Sequence, residues 1–349
     1  MKTATSKSIL FLLLQCLLLC VTDGNSQNYR NAKAYINDFG KNEYFVNEAL
    51  AEYSAAIINN QSNNRLGATL ERIYSKLEDV NAILIKNDVG IMGDTKLRDN
   101  FVLFNFKTIN LLKNKYLILN DYTIQSALDY PTILNNFSQK EIELSKYYKS
   151  LITYKNIKKE FAIKYSVNLK NTSNTKNVFE YNSYQNLIFY KINVLDEKLM
   201  ALLKDKNIDK VGECFKYMTS IGEESNKKLD SYADDYKDTS LNTANRDFIA
   251  FMLKQKELLY TPYVNYVKEA AAMQLMKTKF EKDSKSIPLE TYNAEVRNYN
   301  KLKNIFFDML TNIQISKKQI LDSWYLTNSK FLKNNIEYKD DQEQYTAID

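Results

Sequence analysis

Apolar side chains recur at threes and fours along most of this chain, the period of one helix face. Tyr35, Ile36, Phe39, Val46, Leu50 and Ile57 draw one stripe and predict a first helix over residues 29–59. Leu70, Ile73, Leu77, Val80 and Leu84 predict a second over 66–86. Leu97, Phe101, Phe104, Thr108 and Leu112 share a face and predict a third over 96–128, with Pro131 as its stop. Ser138 and Glu141 have the spacing of a capping box, which starts a fourth helix running to 167. Four more are predicted over 178–204, 209–233, 241–279 and 289–334. Pro262 falls inside the seventh and is expected to kink it, because proline removes a helical hydrogen bond. Pro288 opens the eighth, where a first turn tolerates it.

Between the second and third helices stand Gly90 and Gly93, the mark of a real turn, with Asp94 placed to cap the helix that follows. Elsewhere such residues are scarce. The 349 residues hold 7 Gly and 3 Pro, far below the usual share, and a sheet protein of this size would need many tight turns. Few turns mean long helices.

The segment 101–116 has an echo at 248–263. A gapless shift of 147 positions aligns Phe101 with Phe248, Phe104 with Phe251 and Lys107 with Lys254. It also aligns Leu111 and Leu112 with Leu258 and Leu259, and Tyr116 with Tyr263. The expected architecture is therefore all-α: about eight long antiparallel helices forming two related four-helix-bundle halves by internal duplication. The halves are expected at 27–167 and 178–336, joined by the polar linker 168–177, with a flexible acidic tail at 337–349.

Residues 1–26 read as an export signal. Lys2 and Lys7 precede the apolar run 9–21, which is too short to span a membrane. Gly24 and Ser26 supply small residues before a cut at Gln27. The expectation is a protein of the periplasm, cell surface or extracellular space, with no transmembrane segment in the mature chain. Cys16 and Cys20 lie inside the signal, and neither follows the small residue that a lipid anchor favours. Cys214 is left alone, so the fold has no intrachain disulfide and Cys214 reads as a small core residue.

The chain carries 48 basic and 42 acidic residues; removing Lys2, Lys7 and Asp23 leaves 46 and 41, a net of +5 for the mature part. The signs are interspersed, so no nucleic-acid footprint is expected.

Histidine is absent. That removes the commonest general base, the usual metal ligand and His-activated nucleophiles. Phosphate-cradling glycine loops and paired-cysteine motifs are absent too, and no cofactor or metal is expected. The densest acidic group, Asp230, Asp234, Asp235 and Asp238, lacks the rhythm of a calcium loop and reads as a helix end meeting a solvated loop. Carboxylate pairs assembled in space stay open as catalysts. Tyrosine is abundant, 26 in all. Tyr260, Tyr263 and Tyr266, beside Pro262, are the candidate binding groove, because tyrosine offers rigid amphipathic contact area.

Gly93, Asp94, Thr95, Lys96, Leu97, Arg98 and Asp99, followed by Phe101, Phe104, Phe106 and Lys107, resemble a pattern in exported helical bacterial proteins of the leptospiral-type surface protein family. Leu229, Asp230, Ser231 and Tyr232, then Tyr236, Lys237 and Asp238, resemble the YiiG-like helical lipoproteins. The resemblance implies an exported all-helical protein and supplies no catalytic residue. The leading functional expectation is a non-enzymatic envelope or secreted module that binds or scaffolds a peptide, glycan or protein partner. A carboxylate-based enzyme and a purely structural envelope protein are the alternatives.

Overall fold

The computed structural model describes residues 31–58, 63–113, 126–169 and 176–336. The expected signal (1–26) and tail (337–349) lie outside them, as do residues 170–175 of the expected linker. The described residues form an all-α fold. Its helices are α1 (Ala32–Ile58), α2 (Asn63–Asn87), α3 (Lys96–Lys113), α4 (Tyr130–Lys164), α5 (Val178–Leu202), α6 (Ile208–Ser231), α7 (Ser240–Lys282) and α8 (Leu289–Asn335). A 3-10 turn, Leu203–Asp205, joins α5 to α6, and the described residues contain no strand.

Helix boundaries follow local chemistry. Asn177 caps α5 by accepting from Phe179 N at 2.8 Å, and Asn207 caps α6 through Lys210 N at 3.0 Å. The start of α4 corrects the capping-box expectation. Asp129 is the N-cap, accepting from Thr132 N at 2.8 Å, and Pro131 sits in the first turn. Proline there loses nothing, since first-turn N–H groups have no helical acceptor. Pro131 therefore belongs to the start of a helix. Ser138 lies inside α4, and Glu141 pairs with Lys228 at 2.6 Å. The third helix is described as far as Lys113; residues 114–125 lie outside the described set.

The connection from α2 to α3 is tight. Gly90 has φ +76° and Gly93 φ +79°, in the left-handed region glycine occupies at little cost. Asp94 accepts from Lys96 N at 3.1 Å, so it serves the N-terminus of α3 as expected. The same carboxylate takes Lys164 Nζ at 2.7 Å, tying that turn to the end of α4.

Neighbours run up and down. In the first half α1 packs on α2, α2 on α3, α3 on α4 and α4 on α1. In the second half α5 packs on α6, α6 on α7, α7 on α8 and α8 on α5, with α5 also against α7. Cross-contacts fix the directions. Phe101 and Phe104 meet Tyr154 while Thr108 meets Tyr147, so α3 and α4 are antiparallel. Asn182 meets Asn328 and Phe189 meets Trp324, so α5 and α8 are antiparallel. The halves join where α4 lies on α5 and α1 on α8, and their buried apolar side chains form one continuous cluster.

The echoed residues occupy similar places only in part. Phe101 and Phe248 are both fully buried, as are Leu112 and Leu259. Phe104 is buried while its counterpart Phe251 is half-buried, and Tyr116 lies outside the described residues. Pro262 sits within an unbroken α7. No helix of the described residues is long and apolar enough to cross a membrane.

Candidate functional site

The second half carries a polar stripe through its core. On α5, Asn182, Gln185, Asn193 and Asp196 are buried at helical spacing, on the face that meets α7 and α8. Their partners come from those two helices. Asn182 accompanies Asn328, whose amide also reaches Asn186 at 2.7 Å. Gln185 Oε1 accepts from Asn245 at 2.6 Å, and Asn245 Oδ1 accepts Trp324 Nε1 at 2.8 Å. Asp196 Oδ1 accepts from Gln255 Nε2 at 2.7 Å, and its other oxygen meets the Lys317 ammonium. Buried polar groups are tolerated when they are partnered; Asn193 Oδ1 and Gln255 Oε1 are buried with no hydrogen-bond partner.

Lys317 lines a cleft between α5 and α8, with Asp196 buried behind it. The cleft has a volume of about 440 Å³, and Met200, Leu321 and Tyr325 give it apolar surface. Glu197, Lys318 and Asp322 add charges of both signs. Lys317 is 11% exposed and bridges Asp196 to Glu197, 2.7 Å away. Burial pushes the Asp196 carboxyl up, and Lys317 and Gln255 pull it back only in part. Burial by itself would lower the Lys317 ammonium; the Asp196 and Glu197 carboxylates more than offset that and hold it above its ordinary range. A lysine raised this way is a fixed cation, unsuited to act as an amine nucleophile or base at neutral pH.

The expected groove is placed differently. Tyr263 is fully buried against Phe306 at 5.5 Å. Tyr266 is buried and stacks on Phe306 at 5.4 Å. Tyr260 is half-buried, edge-on to Phe215 at 5.8 Å, its hydroxyl close over Gly212. The proline-side tyrosines thus fill the seams of α7 with α6 and α8, and the Lys317 cleft is lined by none of them. Residues spaced at threes and fours face a neighbour, and a long flanking helix covers that face.

A second, small cavity lies where α4, α5 and α6 meet. It holds about 20 Å³, room for one water, beside Glu141, Lys191, Glu224 and Lys228. These four form an ion-pair network: Lys228 to Glu141 at 2.6 Å, and Lys191 to Glu224 at 3.0 Å.

Three of the four clustered aspartates have structural partners. Asp230 pairs with Arg246 at 2.7 Å, Asp235 with Lys176 at 3.3 Å, and Asp238 accepts from Ser240 N at 3.0 Å and from Asn335. No group of three or more Cys, Asp or Glu among the described residues is placed to hold a metal ion. Cys214 is buried against Leu195 O, and burial pushes its thiol up to about 11, away from the reactive thiolate.

Sequence reasoning passed over Asp196, Gln255 and Lys317. The readable signal was the row of polar residues on α5 at positions its apolar stripe should hold. The chain matches no family model, no curated protein and no solved structure.

Proposed function

We propose that this chain is an exported, non-enzymatic helical binding module whose α5–α8 cleft receives an extended peptide segment. The cleft carries the reading: its size falls in the range of ligand sites, and it mixes an apolar floor with a few placed charges. Lys318 and Asp322 stand one helical turn apart, offering opposite charges to a peptide that alternates charged and apolar side chains. A glycan is the less favoured ligand, because Tyr325 is the single aromatic ring in the lining. Catalysis is disfavoured by the absence of histidine and by the saturated Asp196–Lys317–Glu197 charges. The basic-then-apolar pattern of residues 1–26 and the resemblance to exported helical surface proteins support a location outside the cytoplasm. The 147-residue echo and the common neighbour order of the two halves support an internal duplication.

Thermal shift tests the binding reading, since a native-state ligand raises the melting temperature. A library of mixed-charge peptides is expected to contain members that raise it. Asp322→Lys, an exposed change in the lining, is expected to abolish that rise without altering the unliganded melting point. No shift from any peptide, or a shift unaffected by Asp322→Lys, overturns the assignment. A shift from glycans alone moves the ligand class from peptide to sugar.

A further inference from the structure

One end of the first half carries apolar side chains that no helix covers. Val89 and Met92 stand in the turn between α2 and α3, 49% and 96% exposed. Ile163 stands in the last turn of α4 and is 80% exposed. The three share that end, because Asp94 of the turn holds Lys164 Nζ at 2.7 Å and the Tyr165 hydroxyl at 3.2 Å. Apolar side chains this exposed and grouped at one place mark an interaction surface.

The turn holds Met92 outward. Met92 has φ +50°, an uncommon conformation for a residue with a side chain. Its neighbours fix it. Gly90 N donates to Asp88 Oδ1 at 2.7 Å, Asp94 N donates to Ile91 O at 2.8 Å, and Arg98 donates to the Asp88 carbonyl. Ile91 is buried, so the turn is anchored beside the residue that projects. Charge is layered behind this tip. Asp94, Asp99 and Glu160 are paired, with Lys164, Arg98 and Lys96. Lys86 and Lys159 are exposed and have no ion-pair partner among the described residues. Lys86 precedes Val89 by three positions and Lys159 precedes Ile163 by four. Each lysine therefore sits about one turn, roughly 5 Å, behind an apolar side chain.

We propose that this end docks on an anionic lipid surface: Val89, Met92 and Ile163 enter the boundary between headgroups and acyl chains, and Lys86 and Lys159 lie at the phosphate layer. The order of the layers favours a bilayer over a protein pocket. Interfacial segments bury their apolar side about 5–10 Å into that boundary, and a lysine stem lets its ammonium stay at headgroup level. Pairing of the nearby acids leaves Lys86 and Lys159 uncompensated, complementary to lipid phosphates. A single pocket for Met92 would use neither Ile163, on another helix, nor the lysines set back from the tip.

Residues 27–349, which hold every described helix and lack the apolar run 9–21, serve for the test. Flotation with mixed phosphatidylglycerol–phosphatidylcholine vesicles is expected to carry the protein, and pure phosphatidylcholine far less of it. Each lysine near an anionic surface contributes about fivefold in partitioning, so Lys86→Gln with Lys159→Gln is expected to weaken it roughly 25-fold. Met92→Asn, which suits the left-handed backbone, with Ile163→Gln is expected to abolish flotation without moving the melting temperature. Met92→Trp reads the depth. Brominated acyl chains are expected to quench it, while wild type, whose single Trp324 is enclosed, is not quenched. No flotation with the anionic vesicles overturns the proposal and assigns this end to a protein partner. Flotation unchanged by either double variant, or an unquenched Met92→Trp on bound protein, overturns it as well.

Discussion

Gln255 Nε2 lies 2.7 Å from Asp196 Oδ1, and Lys317 meets the opposite oxygen, so α7 and α8 both reach one buried carboxylate on α5. Asp196 is wholly enclosed, and its burial is compensated only while both partners stay. Lys317→Met leaves a buried charge facing one amide and is expected to cost about 3–5 kcal/mol. Adding Asp196→Asn, which keeps an acceptor for Gln255, should recover most of that loss. Urea unfolding of the three proteins checks it. A single variant within about 1 kcal/mol of wild type would mean that water reaches the pair.

Gly90 and Gly93 share a turn and differ in surroundings. A Cβ on Gly90 would fall 2.2 Å from the Asp94 carbonyl oxygen, whereas one on Gly93 meets nothing within 4 Å. Both have left-handed φ, so Gly93→Ala carries only the conformational cost, about 1–2 kcal/mol. Gly90→Ala carries that cost plus a backbone clash and should destabilise clearly more. Denaturant midpoints rank the two, and equal losses would contradict the geometry of this turn.

Asp94 gives the fold an acid-sensitive joint. The Lys164 hydrogen bond, with the Lys96 N–H and the Tyr165 hydroxyl, outweighs burial and holds its carboxyl below the ordinary aspartate range. A lowered native value contributes stability that is complete above about pH 4 and is lost as pH falls through that native value. Asp94→Asn should therefore flatten the acid limb of the stability curve while leaving the shape at neutral pH. Identical acid limbs in the two proteins would remove Asp94 from that role.

Trp324 is the chain's single tryptophan, 1% exposed and stacked on Phe189 at 3.5 Å. Its emission should be blue-shifted in the native protein and move red when α5, α7 and α8 separate. Trp324→Phe keeps the stack and removes the donor to Asn245 Oδ1. A buried acceptor left without its donor costs about 1–3 kcal/mol, measurable by circular dichroism melts. A neutral substitution would indicate that water replaces the indole N–H.

Periodicity and the scarcity of turn residues were enough to locate the eight long helices among the described residues. Both are local properties, since a stripe at threes and fours has one low-energy solution in water. The boundary at α4 went astray because Pro131 supports two readings, a stop for the helix before it or a first turn for the helix after. Asp129 decides between them only once its carboxylate is seen accepting Thr132 N. The extent of each stripe's burial was not legible. Tyr263 and Tyr266 have the composition of a binding surface, yet α8 lies over them, and no local signal states which helix covers which face. The Lys317 cleft is the converse case. Asp196, Gln255 and Lys317 are 59 to 121 positions apart in the chain, so only the packing of α5 between α7 and α8 brings them into contact. Chain order determined the helices, because hydrogen bonding and amphipathicity act within a few residues. Tertiary structure alone decided the site, because charge pairing and burial act through space.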